Sequence, residues 1–122
     1  MNLIRMSGSS RKIERFDVWT VSLYPTIGSE ISKSRPCVVI STNEMNDNLN
    51  TVLAEPLTRT IKQYPTRIPI NILKQNGEIA LDQIRAVDKM RFIQKITTLS
   101  DNLKETIRHY WAKDFLIFQR YA

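Results

Sequence analysis

A mainly β fold closed by one C-terminal helix, built as a strongly curved sheet or small barrel, is what this sequence predicts. Two observations predict it. Between residues 16 and 87 the apolar residues fall in short runs rich in Val, Ile, Thr and aromatics, divided by Pro, Gly, Asn and Ser. After residue 100 the period changes, and Leu103, Ile107, Trp111 and Phe115 recur every four residues, as on one face of an amphipathic helix.

The elements follow in order. Residues 16–23 form the first strand, which ends in a long loop carrying Pro25 and Gly28. Residues 36–42 are a nearly unbroken apolar run, as in a strand covered on both faces, and the polar stretch 43–50 suits a loop or a weak helical turn. Strand character resumes over 51–57. In 66–72 the residues Ile68, Ile70 and Ile72 alternate with polar positions and with Pro69, whose missing N–H marks an edge or a bulge. Residues 74–78 read as a turn. Residues 79–87 read as one extended strand, with Ile79, Leu81, Gln83 and Arg85 on one face and Ala80, Asp82 and Ile84 on the other. Ser100 is placed to cap the final helix, with Asp101 in its first turn, and Tyr110 and Phe118 flank the apolar stripe, which suits core or dimer contact. The 122 residues make one domain over 13–122 behind a flexible tail, 1–12.

The balance of 18 Lys+Arg against 12 Asp+Glu, net +6 with a pI near 9.7, suits a polyanionic partner. Apolar runs fall short of the roughly 18 residues of a membrane span, so the expectation is a soluble protein with no membrane partner. The lone Cys37 has no internal disulfide partner and sits in the apolar stretch 37–40, which suits burial in a reducing cytoplasm. One histidine, His109, near the C-terminus, and one cysteine give no zinc constellation, no His–His pair and no base for Ser or Cys hydrolysis. Nor does a Gly-rich loop precede a Lys-Ser/Thr pair. Arg, Lys, Thr, Ser, Asp and Glu are left to carry any chemistry.

Four ordered blocks decide the reading. They are Phe16-Asp17-Val18-Trp19 through Tyr24-Pro25-Thr26-Ile27-Gly28-Ser29-Glu30 with Ser34-Arg35-Pro36-Cys37-Val38-Val39-Ile40-Ser41; Thr51-Val52-Leu53-Ala54-Glu55-Pro56-Leu57-Thr58; Tyr64-Pro65-Thr66; and Leu81-Asp82-Gln83-Ile84-Arg85-Ala86-Val87-Asp88-Lys89. Together they resemble the PemK/MazF toxin family over nearly all of 14–118. The resemblance implies an SH3-like β-barrel with a C-terminal helix, forming a homodimer. It implies a metal-independent endoribonuclease that needs no cofactor and cleaves single-stranded RNA bound in a basic groove. The implied partner is a small acidic antitoxin with a disordered tail. The gyrase poison CcdB shares the fold, so a non-catalytic binding module is the alternative.

By the same resemblance Arg35, in its Arg-Pro pair, and Thr58 match catalytic positions, and Glu30 matches a loop glutamate linked to activity. Ser29, Asp82, Gln83 and Arg85 are the expected RNA contacts. Ala80 stands where some members carry an arginine, which weakens a catalytic role for Asp82. The implied chemistry is attack of the 2′-hydroxyl on the neighbouring phosphorus. A planar guanidinium at Arg35 would stabilise the phosphorane, and Lys33, Arg59, Lys62, Arg67, Lys89 and Arg91 would add phosphate affinity.

Overall fold

The computed structural model describes residues 11–24, 27–31 and 33–121, with side chains described as far as 113. Seven antiparallel strands form one curled sheet: β1 (Asp17–Ser22), β2 (Ser34–Val39), β3 (Thr51–Thr58), β4 (Arg67–Ile72), β5 (Gln75–Ala80), β6 (Arg85–Asp88) and β7 (Phe92–Thr98). A short helix α1 (Asn43–Asn48) joins β2 to β3, and α2 (Asp101–Tyr121) ends the chain. The strand order is β4-β5-β3-β2-β1-β7, with β6 paired to the first half of β3.

Both faces of the central strands are covered, which is why 36–42 carries so few polar residues. Trp19, Val21, Cys37 and Val39 face one cluster with Val52, Val87 and Phe92. The alternate positions Val18, Val38 and Ile40 face the other, with Leu57, Ile68, Ile70, Ile79 and, from α2, Ile107. Leu103, Tyr110 and Trp111 pack against this second cluster, so the helical stripe serves the core. Ser100 does cap α2, its Oγ accepting the Leu103 N–H at 3.3 Å. The side chains of Phe115 and Phe118, and residues 1–10 of the expected tail, lie outside the described residues.

Pro69 lies on the edge strand β4, where its missing N–H breaks no interior ladder. Three readings change. Residues 74–78 are not a turn: the chain reverses at Leu73 and Lys74, both left-handed at φ 52° and 64°, and β5 begins at Gln75. The reversal uses two residues that rarely adopt this conformation, so no turn signal announced it. The expected strand 79–87 is interrupted by a 3-10 turn at Leu81–Gln83, because β5 and β6 pair with different halves of β3. The two-face alternation written for that segment therefore fails. Finally, β7 carried no clear period-2 signal, since its middle is largely exposed and held by its ladder to β1.

Candidate active site

The site forms where β2 and β3 part. Their ladder pairs Val39 with Ala54, Val38 with Glu55 and Cys37 with Pro56, and there it stops. Pro36 and Pro56 supply no N–H at this point, and β3 turns to pair Leu57 and Thr58 with Ile79 and Glu78 of β5. Carried on by two residues, the β2–β3 register sets Arg35 opposite Thr58 across the opening. Arg35 is held from behind by its pairing with Val21 of β1. The result is a cavity of about 290 Å³ lined by Ser34, Arg35, Pro36, Leu57, Thr58, Arg59, Ile70, Ile72 and the start of β5.

Thr58 is nearly buried, and its Oγ1 accepts the Thr60 N–H at 3.1 Å. One lone pair is thus occupied, and the hydroxyl proton remains to be donated. Gly77 is required here by close approach, since a Cβ at this position would lie 2.5 Å from the Thr58 carbonyl oxygen. Cys37, just behind Pro36, is fully buried, and burial pushes its thiol up to about 12, which removes it as a nucleophile.

The segment after Thr58 carries Arg59 and Lys62 and has no strand pairing of its own. It is held by one carboxylate. Glu78 Oε1 accepts the Lys62 N–H at 3.1 Å, and Oε2 accepts the Gln63 N–H at 3.0 Å. Arg67 donates to Glu78 at 3.3 Å and to Asp82 at 2.7 Å, and Thr66 adds its hydroxyl to Asp82 at 2.9 Å. Burial works against ionising both acids, yet these donors hold each carboxyl below its ordinary range.

The other expected site residues lie apart from Arg35 and Thr58. Glu30 is exposed, its Oε1 accepts the Ile27 N–H at 2.8 Å, and it lines a second cleft with Ser22, Arg85 and Arg91. Ser29 is exposed on the same loop. Gln83 accepts from the Ile31 N–H and from Arg85, both at 3.3 Å, and so ties that loop to the sheet. Asp82 is engaged by Arg67 and Thr66. Arg67, expected among the phosphate-binding cations, is buried between two acids instead. Sequence reasoning also passed over the inner wall of the cavity, Ile70, Ile72, Gln75 and Gly77. A glycine two residues into a strand was the available signal, because it marks a close backbone approach. Among the described residues no cluster of three or more His, Cys, Asp or Glu could hold a metal ion, and no helix is long and apolar enough to cross a membrane.

Residues 14–110 match the family model described as PemK-like, MazF-like toxin of type II toxin-antitoxin system. The chain belongs to this toxin family. It is similar to "Endoribonuclease EndoA" of Bacillus subtilis (strain 168), at 33% identity over 101 residues, covering 78% of this chain and 87% of that protein. Among solved structures it resembles MazF (Form-I) from Deinococcus radiodurans, with a TM-score of 0.74 at 20% identity over 84% of this chain and 96% of the other. It also resembles an endoribonuclease in complex with its cognate antitoxin from Mycobacterial species, with a TM-score of 0.69 at 20% identity over 83% and 92%. These likenesses bear out the curled β fold with a terminal helix, and the family assigns a type II toxin.

Proposed function

We propose that this toxin is an endoribonuclease that cleaves single-stranded RNA at the Arg35–Thr58 cavity, by attack of the substrate's own 2′-hydroxyl and without a metal. One observation carries the reading: the splaying of β2 from β3 gathers a guanidinium and a hydroxyl donor at one cavity, on strands held by their neighbours. The 33% identical relative named an endoribonuclease supports the same class of activity.

In the reaction a bond forms from the 2′-oxygen to phosphorus, and the bond from phosphorus to the 5′-oxygen breaks. A 2′,3′-cyclic phosphate and a 5′-hydroxyl result. Arg35 offers two parallel donors to the non-bridging oxygens, where charge accumulates in the phosphorane, and one such donor is typically worth about 3 kcal/mol. Thr58, with its lone pair engaged by Thr60, donates its proton to the same group. Arginine's pKa, above about 12, suits it to this electrostatic role and not to taking a proton.

No carboxylate is among the described residues that line this cavity, so proton transfer falls to water in this reading, and Glu30 acts by shaping the loop over the second cleft. Ser29 and Arg85 then meet the RNA strand as it leaves the cavity, while Asp82 and Gln83 hold the fold beneath. The toxin acts in the cytoplasm as a homodimer of the 13–122 domain. Its restraint comes from a small acidic antitoxin whose extended tail covers the basic cavity, a pairing for which solved MazE-MazF assemblies offer precedent.

The test is cleavage of end-labelled RNA of mixed sequence in excess EDTA, with end-group analysis. Persistent cleavage leaving a 5′-hydroxyl is expected. A 5′-phosphate product, loss of cleavage on chelation, or trapped gyrase on DNA with intact RNA would overturn the reading.

A further inference from the structure

The cavity beside Arg35 and Thr58 is larger than a phosphate group needs, and most of its wall is apolar. Its volume of about 290 Å³ lies at the small end of ligand sites, which run from about 300 to 1,000 Å³. Pro36, Leu57, Ile70 and Ile72 supply the apolar wall, and Arg35 and Arg59 supply positive charge beside it.

The β4–β5 register decides which polar side chain joins them. Ile70 pairs with Gly77 and Ile72 with Gln75, so these four positions share one face of the hairpin, the face that also carries the core residues Ile68 and Ile79. Asn71 and Asn76 belong to the opposite face, where their amides bond each other at 2.7 Å. Gln75 is therefore the side-chain amide on the cavity face. The left-handed pair Leu73 and Lys74 reverses the chain directly beyond it and sets Ile72 and Gln75 at the mouth.

An occupant suited to this shape has a flat apolar body, an edge with hydrogen-bond donors and acceptors, and a phosphate close by. A nucleobase on an RNA strand has all three. We infer that the cavity holds one unpaired base next to the cleaved phosphate, and that Gln75 reads its edge. The inference rests on the RNA-cleaving reading above and adds to it a base-recognition site and its specificity residue. Glutamine presents a donor and an acceptor together, so it matches bases whose edge shows both. Glycine at 77 leaves the floor open where a side chain would intrude on Thr58.

The experiment maps fragment 5′ ends from a random-sequence RNA pool for the wild type, Gln75→Ala, Gln75→Glu and, as a control on the far face of the same hairpin, Asn71→Ala. Affinity for an oligonucleotide made uncleavable by 2′-deoxy substitution is measured alongside. In Gln75→Ala the base preference at one position beside the cut is expected to fall about tenfold, with preferences elsewhere retained. Gln75→Glu, which can only accept, is expected to shift that position towards a base offering an amino donor. Asn71→Ala should keep the wild-type profile. Ile72→Phe, which narrows the mouth, is expected to weaken oligonucleotide binding about tenfold.

If the wild type cleaves and every Gln75 variant keeps its profile, the base site is wrong while the nuclease reading stands. If Gln75→Ala and Asn71→Ala blur all positions equally, Gln75 has no special place, and the inference fails. A wild type that cleaves no RNA in the pool overturns the underlying reading, and this inference with it.

Discussion

The two faces of the β4–β5 hairpin use arginine in opposite ways. On one face Arg67 is buried, and its guanidinium is shared between Glu78 and Asp82, with the Tyr64 ring 5.2 Å away. On the other, Arg35 stands half-buried at the rim of a cavity with apolar walls, across from a threonine whose proton remains to be donated. The first arrangement neutralises charge within the fold, whereas the second presents it to an anion from outside. Family resemblance alone did not separate these roles, since Asp82 and Arg67 were both expected to meet RNA.

The largest effect that would break this comparison is on stability. Arg67→Ala strands two carboxylates, one of them buried, and is expected to cost about 3 kcal/mol, lowering the melting temperature by roughly ten degrees. A melting curve that does not move would show that the ion cluster is ornamental.

A third acid sharpens the contrast. Glu55 is fully buried in β3, accepts the Trp111 Nε1–H of α2 at 2.9 Å, and has no partner for its second oxygen. Burial raises its carboxyl from 4.5 to about 7, the opposite direction from Glu78. Between those values the folded chain binds more protons than the unfolded one, so this group's contribution to stability falls as pH rises from about 4.5 to 7. Glu55→Gln is therefore expected to raise the melting temperature by a few degrees at pH 8 and to change little at pH 5, in thermal scans at both. Equal shifts at the two pH values would contradict the burial argument.

The smallest expected effect belongs to Asp82→Asn. Arg67 keeps Glu78, and Asp82 is partly open to solvent, so a loss of about 1 kcal/mol is expected, with RNA affinity of the folded protein nearly unchanged. A tenfold weaker RNA complex at full folding would return Asp82 to the binding surface.

Much of the fold was legible because its signals are local. The four-residue stripe found α2, Ser100 found its cap, and Pro69 found an edge strand. What escaped depends on distant pairing. The 3-10 break at Leu81–Gln83 exists because β3 serves two partners in succession, and nothing in those three residues announces it. Arg67 and its acids are 11 and 15 positions apart, so as isolated charges they looked solvated. Arg35 and Thr58 were named from the family pattern; that they share a cavity follows from two prolines that end a ladder, which no periodicity shows.

The central claim is that Arg35 serves the reaction and not the fold, and the direct measurement is single-turnover cleavage beside thermal unfolding for Arg35→Ala and Arg35→Lys. The account predicts that Arg35→Ala melts within about two degrees of the wild type and cleaves on the order of a hundredfold more slowly, the usual effect of removing one transition-state donor. Arg35→Lys keeps RNA affinity but regains only part of the rate, because a point charge replaces a two-pronged donor. Near wild-type cleavage by Arg35→Ala, or a loss of activity that tracks loss of folding, would contradict it.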